Sequence, residues 1–237
     1  PTNTPTNTPT NTPTNTPLPT ATAVPPGPGT PSATPTTVPA GTATPTATLG
    51  GPCLLPFSDV PADYFAYTYI QWAYCHTFIS GYNDNTFRPQ SSTTRGQIAK
   101  LLVLAAGWDL TPGPGAPHFS DVAPGSTFYT VIEVGYAHGI LGGYSDGTYR
   151  PSVPVTRAQL AKLLVLARGY PLLTPPTPTF SDVPADLWAY PFVETAVAHA
   201  VVGGYSDHTF RPLNEATRAQ FCKMLYQAYG VPSLNQP

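Results

Sequence analysis

Thr94-Arg95-Gly96-Gln97 is the stretch that decides the fold, because the chain repeats it as Thr156-Arg157-Ala158-Gln159 and as Thr217-Arg218-Ala219-Gln220. The Thr can cap the free N–H of the third helical residue, and the Gln can bond back to the Thr N–H. Each copy therefore predicts a helix that begins at a capping box. A Gly thirteen residues after each Thr predicts a left-handed helix end, at Gly107, Gly169 and Gly230.

The apolar residues after each box fall at i, i+3, i+4 and i+7, the period of one buried helix face. In the first copy they are Ile98, Leu101, Leu102 and Ala105, and the other two copies follow the same pattern. Each unit starts earlier, with Phe-Ser-Asp-Val at 57–60, 119–122 and 180–183. An aromatic and aliphatic run follows each start and predicts a first helix over 64–79, 128–141 and 188–202.

Repetition at a fixed period indicates units that cannot bury their apolar faces alone. We therefore predict an all-α fold of three helix-pair repeats, at 53–118, 119–179 and 180–237. A loop of the form Gly-Tyr-x-Asp-x-Thr joins the two helices of each repeat, at Gly81, Gly143 and Gly204. Its Asn and Asp residues are typical of turns. With one carboxylate per loop, a calcium site lacks the ligands it would need.

The Arg inside the box needs an explanation of its own, because the helix dipole disfavours a cation at a helix start. One hypothesis is that the Arg and the free N–H groups beside it bind an anion. The other is that the Arg pairs with an Asp of its own repeat, namely Asp59, Asp121 or Asp182. The residues alone leave both open.

Residues 1–52 form a segment of different composition. Of the first 50 residues, 31 are Pro or Thr and none is charged or aromatic, so the segment has little to bury. We predict a disordered linker there. No apolar run approaches the roughly 18 residues of a membrane span, so no membrane insertion is expected. We expect the chain to be the C-terminal part of a longer exported, extracellular protein.

Positive charge is scarce and follows the repeats. The net charge is −2, which excludes a general basic surface and so argues against nucleic acid as a partner. Nine of the ten Lys and Arg residues form one trio per repeat, and only Arg168 lies outside this register. We interpret the trios as three local sites, made of Arg88, Arg95 and Lys100; Arg150, Arg157 and Lys162; and Arg211, Arg218 and Lys223.

The three motifs, in fixed order and three times over, closely resemble the S-layer homology family across residues 57–230. The resemblance implies a pseudo-threefold all-α unit in which the first and third repeats touch. It also implies grooves between repeats that bind a secondary cell-wall polysaccharide, often one bearing ketal-linked pyruvate. The family's ligand-contacting Arg corresponds by position to Arg95, Arg157 and Arg218.

Other motif residues complete the candidate ligand-binding set. They are the box residues Thr94, Thr156 and Thr217, the carboxylates Asp59, Asp121 and Asp182, and the loop residues Gly81, Gly143, Gly204, Tyr82, Tyr144 and Tyr205. The chain departs from the family by having Gln in place of Glu in every box, which keeps the cap and removes a negative charge. Gly96 replaces the Ala of the other boxes and lowers helix propensity by about 1 kcal/mol.

The three Cys residues fit no zinc cluster. Cys75 and Cys222 each stand where other repeats have Ala, in helices that a closed ring would bring together. We predict a disulfide between them, which leaves Cys53 free or paired between chains.

One His recurs on each first helix, at His76, His138 and His199, without a second ligand nearby in sequence. These are expected to be packed or capping residues, and no metal site or cofactor is predicted. No nucleophile elbow, phosphate loop or zinc-protease motif is present. We therefore expect no catalytic residues in this chain.

The resemblance to the S-layer homology family implies noncatalytic anchoring at the cell surface through an anionic wall polysaccharide. The alternative is a protein–protein interaction module that joins surface-layer subunits, which would make other surface-layer proteins the partners.

Overall fold

The computed structural model describes residues 53–230. The predicted linker at 1–52 lies outside the described residues, as do residues 231–237. Six α-helices and no β-strand occur within 53–230, which confirms the predicted all-α class. In chain order the helices are α1 (Tyr67–Cys75), α2 (Arg95–Ala106), α3 (Tyr129–Ala137), α4 (Arg157–Ala167), α5 (Tyr190–Ala198) and α6 (Arg218–Leu225).

All three predicted capping boxes are present, at the starts of α2, α4 and α6. In α4 the Gln159 N–H donates to Thr156 Oγ at 3.3 Å, and the Thr156 N–H donates to Gln159 Oε1 at 3.0 Å. The predicted left-handed Gly is also found after α2 and α4, with φ of 67° at Gly107 and 63° at Gly169.

The prediction for Gly230 is wrong. Helix α6 continues directly into a π-helical turn, Tyr226–Gly230, and this Gly has no positive φ. The turn packs against α1, where the ring of Tyr226 lies 5.5 Å from that of Trp72 and 5.3 Å from that of Tyr69. Packing between aromatic rings thus overrides the local stop signal.

The first helix of each repeat is shorter than predicted at both ends. In repeat 1 a turn at Pro61–Tyr64 precedes the helix, and Thr77 ends it with a φ of 61°. Gly139 and Ala200 take the same left-handed conformation after α3 and α5. The apolar runs continue beyond the helix ends because Ile79, Leu141 and Val202 still enter the core from the loops.

Three backbone hydrogen bonds close the repeats into a ring. The Thr93 N–H donates to Ala216 O at 2.9 Å, the Val155 N–H to Thr93 O at 3.0 Å, and the Ala216 N–H to Val155 O at 2.8 Å. Since every repeat donates to one neighbour and accepts from the other, the predicted contact between the first and third repeats is confirmed.

The helix pairs are formed between successive repeats. Helix α2 packs on α3, α4 packs on α5, and α6 packs on α1. Each box helix therefore buries its apolar face against the first helix of the next repeat around the ring. A single repeat cut from the chain would lose the partner of both its helices.

The predicted pairing of Cys75 with Cys222 is wrong. The disulfide joins Cys53 to Cys75, with their Cα atoms 6.0 Å apart, and Cys222 is free and fully buried. Helices α1 and α6 do pack together, as the prediction assumed, but Cys75 is the last residue of α1 and faces the segment that precedes Phe57. Gln71 holds that segment by donating from Nε2 to Cys53 O at 2.7 Å.

Burial raises the pKa of Cys222 to about 12. Because the thiolate is the reactive form, we expect Cys222 to resist iodoacetamide at pH 8 in the folded protein and to react completely in denaturant. Peptide mapping without reduction is expected to find Cys53 linked to Cys75. Rapid alkylation of Cys222 in the folded chain would contradict its burial in the core.

Candidate functional site

Three surface grooves lie at the junctions between repeats, and each contains one box Arg. We call them groove A, with Arg95, groove B, with Arg157, and groove C, with Arg218. Their volumes are about 290, 220 and 350 Å³ respectively. Each groove can hold a small ligand or one unit of a polymer.

Every groove is assembled from all three repeats. One repeat supplies the box Arg, the next supplies its box helix, and the third supplies a residue close before its first helix. The loop Gly and Tyr of the second of these repeats line grooves A and B, whereas Gly81 and Tyr82 do not line groove C. Groove A is lined in this way by Arg95, Gly143, Tyr144, Gln159, Lys162 and Trp188. The matching residues of groove B are Arg157, Gly204, Tyr205, Gln220, Lys223 and Phe65.

The box Args hold neighbouring repeats together. Arg218 donates from Nε to Phe87 O at 2.9 Å and from Nη2 to Ser80 O at 3.0 Å. Arg157 bonds Phe210 O and Gly203 O in the same way, and Arg95 bonds Tyr149 O and Gly142 O. The hypothesis that these Args pair with Asp59, Asp121 or Asp182 is therefore wrong.

Two of the three box Args are almost completely buried. Arg157 and Arg218 are only 5% and 6% exposed. Burial lowers the pKa of both guanidinium groups, and the nearby Tyr205 and Tyr82 hydroxyls oppose this effect. Since burial disfavours a charged side chain, the two carbonyl hydrogen bonds are what stabilise each guanidinium in place.

The free N–H groups expected at the helix starts are already used. In α2 the N–H groups of Arg95 and Gly96 donate to Val153 O and Pro151 O of the next repeat, at 2.9 and 2.8 Å. The Gln97 N–H donates to the Thr94 hydroxyl. The same bonds recur at α4 and α6. The helix N-termini thus bind the neighbouring loop, so the hypothesis that they bind an anion directly is wrong.

The Asp of each Phe-Ser-Asp-Val start binds the backbone of the loop in its own repeat. Both oxygens of Asp182 accept backbone N–H groups, from Phe210 and from Arg211, at 2.7 Å each. Arg211 needs this support because it has a φ of 57°, a conformation unusual outside Gly. Asp59 and Asp121 make the same pairs of bonds. None of the three lines a groove.

The loop Gly permits close packing beneath each groove. A Cβ at Gly143 would lie 2.4 Å from the Phe119 ring and 2.6 Å from Thr148 O. Gly81 and Gly204 face the equivalent Phe and Thr of their own repeats. The Phe of the Phe-Ser-Asp-Val start therefore packs against the loop Gly and supports the loop that carries the next residue, Tyr82, Tyr144 or Tyr205.

Each loop Tyr lies between two Arg side chains. The Tyr144 ring is 4.0 Å from the guanidinium carbon of Arg150 and 5.1 Å from that of Arg95. Tyr82 and Tyr205 are placed alike, between the loop Arg of their own repeat and the box Arg of the preceding one. The predicted grouping of the cations by repeat is therefore wrong, because each box Arg lies beside the loop Arg and the Lys of the next repeat and not beside those of its own.

The loop Arg forms an ion pair with the Asp of its own loop, on the solvent-exposed side. Arg150 donates from Nη2 to Asp146 Oδ2 at 2.7 Å on the exposed face of the loop. A hydrogen bond from the Thr148 hydroxyl, followed by that from Arg150, lowers the pKa of Asp146 to about 2. The loop carboxylate therefore remains ionised over the whole physiological range and is already occupied.

Sequence reasoning missed part of the groove wall. Phe65 and Trp188, each eight residues after the Phe that starts its repeat, are 58% and 49% exposed. Their equal spacing was the available signal, but repeat 2 breaks it with Thr127. Gln97, Gln159 and Gln220 were identified as caps, and the structure adds that they also line the grooves. The capping Thr residues do not.

The charge of the grooves is one-sided. No Asp or Glu side chain lines any of the three, although the chain contains 12 acidic residues. Lys100, Lys162 and Lys223 form no ion pair within residues 53–230. Because each box has Gln where Glu would place a carboxylate in the groove, each groove presents only positive formal charge.

The recurring His residues pack as expected. His138 stacks on Trp108 with ring centroids 4.0 Å apart, and His199 stacks on Tyr170 at 3.7 Å. His76 contacts Trp72 and Phe78. Within the described part of the chain, no group of His, Cys, Asp or Glu is arranged to hold a metal ion.

Three repeats of this shape, closed into a ring with one groove per junction, define a class of small helical binding module. The model of the S-layer homology domain matches residues 56–99, 118–161 and 179–222. These segments cover more than half of the chain, and the chain belongs to the S-layer homology domain family.

The relatives match most of this chain, but the matched region is a small part of their own length. "Cell surface glycoprotein 1" of Acetivibrio thermocellus is 29% identical over 67% of this chain and 7% of its own length. The "Surface layer protein" of Brevibacillus choshinensis is 34% identical, over 62% and 14%. The "Cellulosome-anchoring protein" of Acetivibrio thermocellus is 28% identical, over 61% and 33%.

The family and these relatives identify the repeats as a noncatalytic anchoring module of the cell surface. Among the residues that the structure describes, no helix is both long and apolar enough to cross a membrane.

Proposed function

We propose that the three grooves bind an anionic secondary cell-wall polysaccharide and so attach the protein to the cell envelope. The observation that carries this proposal is the convergence of one Arg and one Lys in every groove without an acidic residue in any lining. A protein whose net charge is −2 has concentrated its few cations at three equivalent places. Such a distribution favours small anionic groups.

The carboxylate of a ketal-linked pyruvate is the anionic group that we propose. The Lys amine is the most available donor, because it forms no ion pair in the described residues. The box Arg contributes its remaining nitrogen, Nη1, since Nε and Nη2 donate to carbonyl groups. Two donors from different repeats would hold the carboxylate at the junction.

The neutral groove residues suit the rest of a sugar. In grooves A and B the exposed rings of Trp188 and Phe65 offer a flat apolar face on which a pyranose can stack. The Tyr and Gln side chains supply hydrogen bonds to hydroxyl groups. In groove B the Gln220 Nε2 donates to Tyr205 Oη at 3.1 Å, which holds both in place.

The remaining predicted site residues act by positioning in this proposal. The Asp, Thr and Gly residues of the motifs fix the loop and the helix start that carry the Tyr, Lys and Arg side chains. Three grooves on one rigid ring can engage one polymer at several points, which raises its apparent affinity well above that of one groove. We propose that the Pro/Thr-rich residues 1–52 act as a spacer.

A sedimentation experiment tests the proposal. We expect the full chain to sediment with wall polysaccharide of Acetivibrio thermocellus that has been stripped of protein, and to be released as salt rises, since exposed charge pairs are screened. Loss of binding after mild acid removes the pyruvate would identify the carboxylate. Failure to sediment with polysaccharide, together with capture by purified surface-layer protein, would favour the alternative of a protein–protein module.

A further inference from the structure

The chain enters repeat 1 differently from repeats 2 and 3. The residue before the Phe of each Phe-Ser-Asp-Val start is Pro56 in repeat 1, His118 in repeat 2 and Thr179 in repeat 3. In repeats 2 and 3 this entry residue follows a connector from the preceding box helix, so the chain on both sides of it belongs to the ring. Repeat 1 follows residues 1–52 instead, and tension on that segment reaches the fold at this point.

A buried Glu fastens the entry residue of repeats 2 and 3. Glu133, on α3, accepts a hydrogen bond from the His118 backbone N–H at 3.0 Å and also bonds His118 Nδ1. Glu194, on α5, accepts from the Thr179 N–H at 2.8 Å and from the Thr179 hydroxyl at 2.6 Å. Both Glu residues are buried. Two hydrogen bonds thus hold each entry residue against the first helix of its own repeat.

Repeat 1 cannot form the same pair of bonds. Pro56 has no N–H to donate, and Gln71 stands at the position of the two Glu residues. Gln71 donates from Nε2 to Cys53 O at 2.7 Å, on the exposed side of α1. The disulfide from Cys53 to Cys75 adds a covalent connection between the entry segment and α1 at the same place.

The disulfide encloses the start of repeat 1 in a covalent loop. Because the sulfur atoms join Cys53 to Cys75, tension from residues 1–52 passes directly to the end of α1 and bypasses residues 54–74. The bypassed residues include Asp59, which binds the loop of repeat 1, and all of α1 except its last residue. Without the disulfide, the same tension would act on these residues in series and detach them from the ring one after another.

The tension arrives instead close to the junction that closes the ring. Five residues beyond Cys75, Ser80 O accepts a hydrogen bond from Arg218 Nη2 at 3.0 Å, and Phe87 O accepts one from Arg218 Nε at 2.9 Å. Arg218 belongs to repeat 3 and is almost completely buried. A load on Cys75 is therefore shared between two repeats across a buried contact.

We propose that the Cys53–Cys75 disulfide is a mechanical clamp, which transfers tension on residues 1–52 to the closed ring and prevents the start of repeat 1 from detaching. The inference goes beyond the proposed function, which concerns what the grooves bind. An anchoring module carries load whenever the anchored chain is pulled, whichever wall component it holds. Repeats 2 and 3 do not receive this load at their entry residues, and they have Ala137 and Ala198 at the position of Cys75.

Force spectroscopy on the full chain, held by its two ends in optical tweezers, tests the clamp. The test variant combines Cys53→Ser with Cys75→Ala, and Ala is native at the matching position of the other repeats. The two Cys residues are 22 positions apart, a stretch that spans roughly 70–80 Å when extended. We expect the variant to release this length in a separate step, at a lower force than the unfolding of the ring. The parent is expected to show no such step.

Two further samples separate loss of the clamp from loss of the fold. The first is the parent, reduced by dithiothreitol while it is held in the tweezers. The reagent supplies two electrons and two protons, so the disulfide becomes two thiols and the reagent closes to its own cyclic disulfide. This molecule is expected to gain the early step. The second is Cys222→Ala, which removes the buried free thiol and keeps the disulfide, and it is expected to gain the early step only after reduction.

Either of two results would overturn the inference. One is that the variant and the reduced parent release the additional length only when the ring unfolds, at the force measured for the oxidised parent. The other is an early step of the same length in the oxidised parent. The measurement contains no polysaccharide, so the clamp can fail while the chain still sediments with wall polysaccharide. Failure to sediment would remove the proposed function and leave the force measurement unchanged.

Discussion

Replacing Arg218 with Ala is expected to lower the free energy of unfolding by about 3–5 kcal/mol. The guanidinium is 6% exposed and donates to Phe87 O and Ser80 O across the junction between repeats 3 and 1. Ala would leave both carbonyl oxygens without these donors. It would also remove the cation from the Phe87 face, 4.3 Å away. Because this junction closes the ring, the loss weakens the whole unit.

Urea unfolding followed by tryptophan fluorescence measures this effect. Arg218→Lys is expected to recover only part of the stability, since a single ammonium group cannot reach both carbonyls as a planar fork does. The matched control is Lys100→Met, which removes an exposed cation from the same groove and is expected to change stability by less than about 0.5 kcal/mol. Equal stability of Arg218→Ala and the parent would mean that the Arg does not secure the ring.

An Arg→Ala variant cannot isolate the contribution of the box Arg to ligand binding, because the Arg also stabilises the fold. From the sequence, an Arg next to a helix start suggested a ligand contact. The structure places Arg157 and Arg218 in buried hydrogen bonds between repeats. A loss of glycan binding after Arg→Ala would therefore report unfolding as well as lost contact. The Lys residues separate the two effects because they carry charge without supporting the ring.

Local signals in the sequence were reliable where one segment determines its own conformation. The capping boxes at Thr94, Thr156 and Thr217 form as predicted, because a Thr and a Gln three residues apart need no other part of the chain. The left-handed Gly107 and Gly169 follow the same logic. Gly230 does not, because the aromatic residues of the π-helical turn find their partners on α1, which is more than 150 residues away in sequence.

Features that depend on ring closure could not be predicted from the sequence. Arg95, Lys162 and Trp188 line one groove, although each of them belongs to a different repeat. Reading each repeat by itself grouped the box Arg with the wrong loop Arg and Lys, since Arg95 joins Tyr144 and Arg150 of the next repeat. The Cys error has the same origin: helix contact between α1 and α6 was anticipated, but which way each side chain faces was not.

Simultaneous replacement of Lys100, Lys162 and Lys223 by Met is expected to abolish binding to wall polysaccharide while the fold is retained. Each amine faces a groove without a competing carboxylate, so it is free to form a charge-assisted hydrogen bond with the polymer. Such a bond contributes about 1.5–3 kcal/mol, which corresponds to a loss of roughly tenfold or more in each groove. Met keeps most of the apolar stem that packs on the groove wall.

The three losses reinforce each other on a polymer. A single Lys→Met variant leaves two grooves to retain the chain, so its effect on sedimentation is expected to be small. In the triple variant the multivalent contact itself is weakened, and apparent affinity is expected to fall by about a thousandfold or more. Affinity is measured by titrating protein-free wall polysaccharide at low and at physiological salt, and melting temperature is measured on the same samples.

Arg168→Met is the matched control for charge. It removes the one cation outside the repeated register, which contacts Tyr170 and Tyr229 and lines none of the grooves. Polysaccharide binding by this variant is expected to equal that of the parent. Comparable weakening by Arg168→Met would show that net charge alone governs binding. A folded triple Lys variant that binds as tightly as the parent would contradict the assignment of the Lys amine as the main anion donor of each groove.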